Sequence, residues 1–272
     1  MKNIPRTPCV RRRLALLLLV SIINFIAAPF LLASRSAAAP LNAPDAPTDF
    51  IRRITLTTND LVYSSSAGRI YASVPSSVGS SGNSLQAIDP TTGLVTSSTF
   101  VGSEPTRLAI SDDGHSVYVS LDGSFAIRRF DTLTNTPGLQ FSLGSDFSFG
   151  RYSLGDFAVA PANPSVLAVA RIYRGVSPPE AGVAVFDDGI QRTKTGPGHT
   201  IGADYLAFSA TASKLYGTGQ FGGLQTMAID ASGVTVSSTT SLASGARIKF
   251  DGGKIFSSAG HVIDPEIGRA HV

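Results

Sequence analysis

Five residues of contrasting charge stand at one repeated place in this chain: Asp60, Arg107, Asp156, Tyr205 and Arg247, separated by 47, 49, 49 and 42 positions. Each directly precedes a short apolar run: Leu61-Val62-Tyr63, Leu108-Ala109-Ile110, Phe157-Ala158-Val159, Leu206-Ala207-Phe208 and Ile248-Lys249-Phe250. If these runs are the innermost strands of a ring of sheets, the five residues meet at the mouth of a central channel. Opposite charges on neighbouring units would then suit a small anion or a sugar. The plainer reading, which the sequence favours, is a set of mutually paired, hydrated groups lining the channel, each worth about 0–1 kcal/mol.

The other reactive residue types fall in less promising settings. His115 follows an Asp-Gly turn and is expected to face solvent. His199 ends the flexible-looking loop Thr195-Gly196-Pro197-Gly198-His199, His261 begins a strand, and His271 lies near the C-terminus. No two histidines share a metal-ligand spacing such as H-x-x-x-H. Asp112-Asp113-Gly114 offers too few ligand positions for calcium and reads as a hairpin turn. No G-x-S-x-G pattern marks a nucleophilic serine. Asp187 and Asp188, at a strand end, should point apart. Arg171, Tyr173 and Arg174, ahead of Pro178-Pro179, form the most distinctive polar insertion; a partner-binding loop is one reading, and an ordinary long connection is the expected one. No catalytic, cofactor-binding or metal-binding residue is therefore assigned, and no cofactor is expected.

The elements that must position these residues repeat. In each of the first four units, an apolar run is followed by a polar turn and a second strand, such as Ile70-Tyr71-Ala72 or Val117-Tyr118-Val119. A third strand closes on Ile88-Asp89-Pro90, Phe130-Asp131, Phe186-Asp187 or Ile229-Asp230, and a fourth follows a tight turn. The fifth unit reaches Val262-Ile263-Asp264-Pro265 at the matching place. Four short antiparallel strands in about 40–50 residues are the signature of a β-propeller blade. One blade exposes two apolar faces, and stacking blades around an axis buries them. Sustained i, i+3, i+4 apolar spacing is missing after residue 40, which argues against a helical solenoid. Only 15% of residues are charged, and 27 are glycine, which suits short strands and tight turns.

Asp112-Asp113-Gly114 before Val117-Tyr118-Val119-Ser120, with Val101-Gly102 and Pro105 upstream, resembles the repeat of YVTN-type seven-bladed propellers. Ile88-Asp89-Pro90-Thr91-Thr92-Gly93 is similar to the turn after their third strand. Ile70-Tyr71-Ala72-Ser73 and Leu215-Tyr216-Gly217-Thr218 echo the pattern, while the third and fifth units depart from it. The resemblance covers roughly residues 60–265 and implies a disc of seven blades, often exported. It does not imply one activity, because such relatives include binding modules, surface proteins and lactone-hydrolysing enzymes.

Outside the repeats, Arg11-Arg12-Arg13, a long apolar run and Ser36-Ala37-Ala38-Ala39 make residues 1–39 a signal peptide, with cleavage expected after Ala38. An uncleaved leader would act as a membrane anchor. Residues 40–59 read as a Pro-rich linker with a closing strand near Phe50–Leu56. The leader holds six basic and no acidic residues, so the rest of the chain carries a net charge of −3 and offers no surface for nucleic acid. Cys9, the only cysteine, lies within the leader, so no intrachain disulfide is available. The final seven residues, 266–272, fit no strand or turn of the repeat. They can be encoded by a string that matches a widely used sequencing adapter, so they are read as a non-native tail, with two or three further blades expected beyond Pro265.

The sequence thus predicts an all-β chain: a β-propeller of four-stranded antiparallel blades, about five of an expected seven being present. A non-catalytic binding or scaffolding role is expected outside the cytoplasm, in the periplasm or beyond, with a protein or carbohydrate partner. A lactonase-like hydrolase, or a cell-surface adhesion component, is the alternative. An enzyme would need several His, Arg and Glu side chains converging on one face, and glutamates are scarce: Glu104, Glu180 and Glu266.

Overall fold

Alternating β-branched, aromatic and small residues between Gly- and Asp-rich turns leave the chain little choice but strands. A computed structural model describes residues 52–267 and 269–271. The expected leader and most of the linker lie outside the described residues. Residues 52–58 form no strand, and Phe50 and Ile51 of the expected closing strand are outside the description.

Five four-stranded sheets follow in chain order. The first comprises β1 (Asp60–Ser64), β2 (Arg69–Val74), β3 (Ser84–Ile88) and β4 (Val95–Phe100). The second comprises β5 (Pro105–Ile110), β6 (Ser116–Leu121), β7 (Ala126–Asp131) and β8 (Thr136–Ser142). A small hairpin, β9 (Ser145–Asp146) and β10 (Gly150–Arg151), precedes the third sheet. That sheet holds β11 (Ser153–Ala160), β12 (Asn163–Ile172), β13 (Glu180–Asp187) and β14 (Ile190–Gln191). The fourth holds β15 (Tyr205–Phe208), β16 (Lys214–Gly219), β17 (Gly223–Asp230) and β18 (Gly233–Thr240). The fifth holds β19 (Ile248–Asp251), β20 (Lys254–Ser257), β21 (Val262–Asp264) and β22 (Arg269–His271). Each sheet is a meander of antiparallel neighbours, and the first strands β1, β5, β11, β15 and β19 pack side by side about one axis. These are blades of a β-propeller.

One expectation is corrected here. The fifth unit does not stop after its third strand, because residues 269–271 pair with 262–264 as a short outermost strand. Asp264 makes this reversal: its Oδ1 accepts the amide of Glu266 at 3.0 Å, so the residues after Pro265 do fit a turn and a strand.

The core consists of four interfaces, one between each pair of successive blades. Val117 and Val119 on β6 pack toward blade 1 with Tyr71 and Leu85, while Tyr118 between them packs toward blade 3 with Phe157 and Leu167. Ala168 and Ala170 on β12 face blade 4, while Leu167 and Val169 face blade 2. Leu215 on β16 faces blade 3, and Tyr216 faces Ile255 and Ile263 of blade 5. The two-residue period of a strand thus decides which neighbour each side chain meets. The outermost strands have no second layer to cover them, and Val95-Thr96-Ser97-Ser98 is accordingly polar and largely exposed.

Polar ties accompany the apolar contacts. The Tyr118 hydroxyl donates to the Pro164 carbonyl of the next blade at 2.6 Å, and Tyr71 donates to the Thr132 carbonyl at 3.2 Å. Tyr216 instead stacks on Phe250, with ring centroids 5.7 Å apart. Two residues on, Ser73 donates to the Thr106 carbonyl and Thr218 to the Ala246 carbonyl, each at 2.6 Å and each across a blade boundary. The Ser/Thr of the Tyr-x-Ser/Thr element is thus an interblade fastening in blades 1 and 4, whereas Ser120 of blade 2 donates to Asp122 of its own blade at 3.0 Å.

Candidate functional site

The two ends of the propeller are unlike. Each innermost strand starts at the upper end, so the loops from fourth to first strand and from second to third strand emerge there. The lower turns between strands span two to six residues, whereas the upper loops reach thirteen, between β14 and β15. Asp60, Arg107, Asp156, Tyr205 and Arg247, the β9–β10 hairpin and both short 3-10 turns, Ser76–Ser81 and His199–Ile201, all lie on the upper side.

Asp60, Arg107, Asp156, Tyr205 and Arg247 surround one cavity of about 240 Å³ at the upper mouth of the channel. Two β-bulges aim them. The β5–β6 register shifts between Pro105 and Leu108, and the β11–β12 register shifts between Leu154 and Asp156, beside Gly155. Each aspartate reaches the next blade's backbone. Asp60 accepts the Leu108 amide at 2.9 Å and Asp156 accepts the Leu206 amide at 2.9 Å. Asp156 also meets the Arg107 guanidinium at 3.5 Å. The guanidinium carbons of Arg107 and Arg247 lie 5.8 and 5.4 Å from the centre of the Tyr205 ring. Burial raises the Asp156 carboxyl above its ordinary pKa, partly offset by the Leu206 amide and Arg107.

Below the mouth the channel widens to a chamber of about 920 Å³. Leu108, Leu206 and Ile248 line both spaces, so the two adjoin. Residues of all five innermost strands line it, including Leu61, Tyr63, Ile110, Phe208 and Phe250.

Around the mouth, the upper loops bring together side chains that sequence reasoning named only separately, such as Tyr173 and His199, or not at all, such as Phe149 and Tyr152. Phe149 of the hairpin lies 4.9 Å from Tyr173, which is 5.5 Å from Tyr152 and 6.0 Å from His199, ring to ring. The Arg171 guanidinium sits 4.2 Å over Tyr152. Phe147 at the hairpin tip is fully exposed, and Phe149, Ile201 and Phe221 are largely so. Glu180 is 1% exposed, and neither carboxylate oxygen has a hydrogen-bond partner among the described residues. Burial raises its pKa, with Asp204 adding to the rise and His199 opposing it. The only sequence signal was a glutamate between Pro178-Pro179 and an apolar strand.

The remaining candidates separate. His115 lies beside Asp113 at 3.8 Å and is exposed. Asp187 binds Arg192 at 2.7 Å, while Asp188 binds Arg129 at 2.8 Å, so the neighbours point to different partners. Two expectations are corrected. The loop at residues 195–199 is anchored, not free: side chains at Gly182, Gly198 or Gly202 would collide where it closes over β13. Arg171 belongs to strand β12 and is buried, whereas Arg174 in the following loop pairs with Asp122 at 3.0 Å.

No protein-family model matches the chain, and no curated protein matches it. Among solved structures, the hydrazine synthase of Kuenenia stuttgartiensis, which contains a β-propeller, is similar with a TM-score of 0.55 and 16% sequence identity. The match covers 80% of this chain and 58% of that one, so this chain spans little over half the length of the solved structure it matches. At that identity the likeness speaks of architecture alone, and it agrees with the sheets: the fold is that of a β-propeller.

Proposed function

We propose that this chain is an exported binding module, similar to YVTN-type propellers, whose upper face holds a protein or glycan partner. One observation carries the reading: every elaboration of the repeat gathers on that face, around the channel mouth. Exposed rings such as Phe147 and Phe149, beside the Arg151 and Arg174 guanidiniums near Phe125, present apolar area and hydrogen-bond donors together, as binding surfaces do. A non-catalytic role is supported by the mouth aspartates, whose oxygens are engaged on backbone amides of the adjoining blades. The leader at 1–39 is proposed to deliver the chain through the membrane, with the partner met in the periplasm or outside the cell. Wild-type chain and Phe147→Ser/Phe149→Ser should be compared on a glycan array and by cross-linking to cell-envelope fractions. Loss of one specific partner in the variant is the expected result. Equal retention by both proteins would remove the upper face from consideration.

A second reading, a lactonase-like hydrolase, draws on one feature. Asp156 is a carboxyl with raised pKa in a cavity beside Arg107 and Tyr205, a setting that suits a general base. Lactone hydrolysis that disappears in Asp156→Asn, with the fold intact, would favour it over simple binding.

A further inference from the structure

We propose that residues 197–202 form a pH-governed lid on the upper face, shut over Glu180 while that carboxyl carries its proton and lifted when the proton leaves. This rests on the reading of the upper face as a binding surface and adds its regulation.

The lid hangs between two backbone anchors. The Gly196 amide donates to the Val183 carbonyl at 2.7 Å, and the Asp204 amide donates to the Thr218 carbonyl at 2.8 Å. Between them, the buried Gln225 carboxamide donates to the Ile201 carbonyl at 2.6 Å. The fit is close: a Cβ at Gly198 would come within 2.9 Å of the Glu180 carbonyl oxygen, and one at Gly202 would strike the Glu180 side chain. Closure also holds His199 in the left-handed region, with φ 54°, a strained setting for a residue other than glycine. A short segment with few ties and some strain opens at lower cost than the blades unfold.

Glu180 decides when the lid opens. It is 1% exposed, and neither carboxylate oxygen meets a donor among the described residues. A buried carboxylate without donors costs much more than a buried carboxylic acid, so the shut lid accepts only the protonated form. Lifting the lid returns the group to water, where it ionises at the ordinary value for a glutamate. Two other titratable groups act on it: Asp204 beyond the second anchor favours the proton, and His199 on the lid opposes it. Ile172, its cross-strand partner on β12, adds no charge. Lifting would carry the His199 ring away from Tyr173 and Phe149, which lie 6.0 and 6.1 Å from it, and would displace the exposed Ile201. The upper face thus changes shape with pH.

Hydrogen exchange of the full chain, read by mass spectrometry across a range of pH and corrected for intrinsic rates, tests this. Above about pH 5, opening of peptides covering 196–203 should rise by up to about tenfold per pH unit, while β6 stays protected. Glu180→Gln should keep the lid protected and remove the dependence. The measurement involves no partner, so its failure would leave the partner-binding reading standing, and loss of that reading would leave the lid standing. The proposal is overturned if wild-type opening is independent of pH, or if Glu180→Gln retains the dependence. It is equally overturned if Asp204→Asn or His199→Gln is the variant that abolishes it, or if β6 loses protection in step with the lid.

Discussion

At the scale of single residues, the repeat's most recognisable letters are structural. Tyr118 is buried and donates to Pro164 of the next blade. Tyr118→Phe keeps the ring and leaves the carbonyl without its donor, so thermal unfolding should register a loss of about 0.5–1.5 kcal/mol. The aspartates that end the third strands act locally. Asp131 Oδ1 accepts the amides of Leu133 and Thr134 at 2.8 and 2.9 Å, and Asp230 accepts those of Ser232 and Gly233. The Thr134 amide, first among these contacts, holds Asp131 below the ordinary carboxylate range. Its stabilising contribution is therefore present at neutral pH and is lost as pH falls through its native pKa.

Glu180 behaves in the opposite sense. Burial raises its pKa, so the native chain holds the proton more tightly than the unfolded chain. Its contribution is full in acid and is lost as pH rises through the native pKa. Glu180→Gln, which mimics the protonated form, should melt higher than wild type above neutral pH, and the difference should vanish below about pH 4. Melting curves taken across that range decide the matter: a difference independent of pH would mean that the carboxylate is not held neutral.

At the scale of elements, legibility followed periodicity. The strands around Val117-Tyr118-Val119 and Leu206-Ala207-Phe208 were readable because apolar and small residues recur with turn residues at fixed offsets. So was the placing of the five mouth residues, which needed only the repeat. The contacts they make were not readable. That Asp60 and Asp156 would cap the amides of Leu108 and Leu206 depends on how the adjoining blades rotate, and on bulges at 105–108 and 154–156 that no local pattern announces. The β9–β10 hairpin was hidden as well, because Ser145 to Phe149 is short and polar between its two phenylalanines. Phe147→Ser should barely move the melting temperature, since Phe147 is fully exposed. A fall of many degrees would show that the hairpin supports the fold rather than the surface.

At the scale of the molecule, stability is divided into neighbourly parcels. Four separate apolar interfaces lie between five sheets, and none joins more than two blades. Such an assembly approximates a one-dimensional chain of coupled units. The channel is the exception, since its walls take residues from all five innermost strands and exist only once the blades are stacked. The channel mouth is thus a property of the stacked blades, while the sheets themselves are local.

The alternation along β6, β12 and β16 bears on how such a protein changes over generations. Each middle strand carries two interleaved sets of contacts, one for the sheet before it and one for the sheet after it. Removing a single residue there would hand every side chain to the wrong neighbour at once. Copying or dropping a whole stretch of roughly fifty residues would preserve both sets intact. Tandem duplication is accordingly the gentle route for this lineage, and small insertions should be confined to the loops.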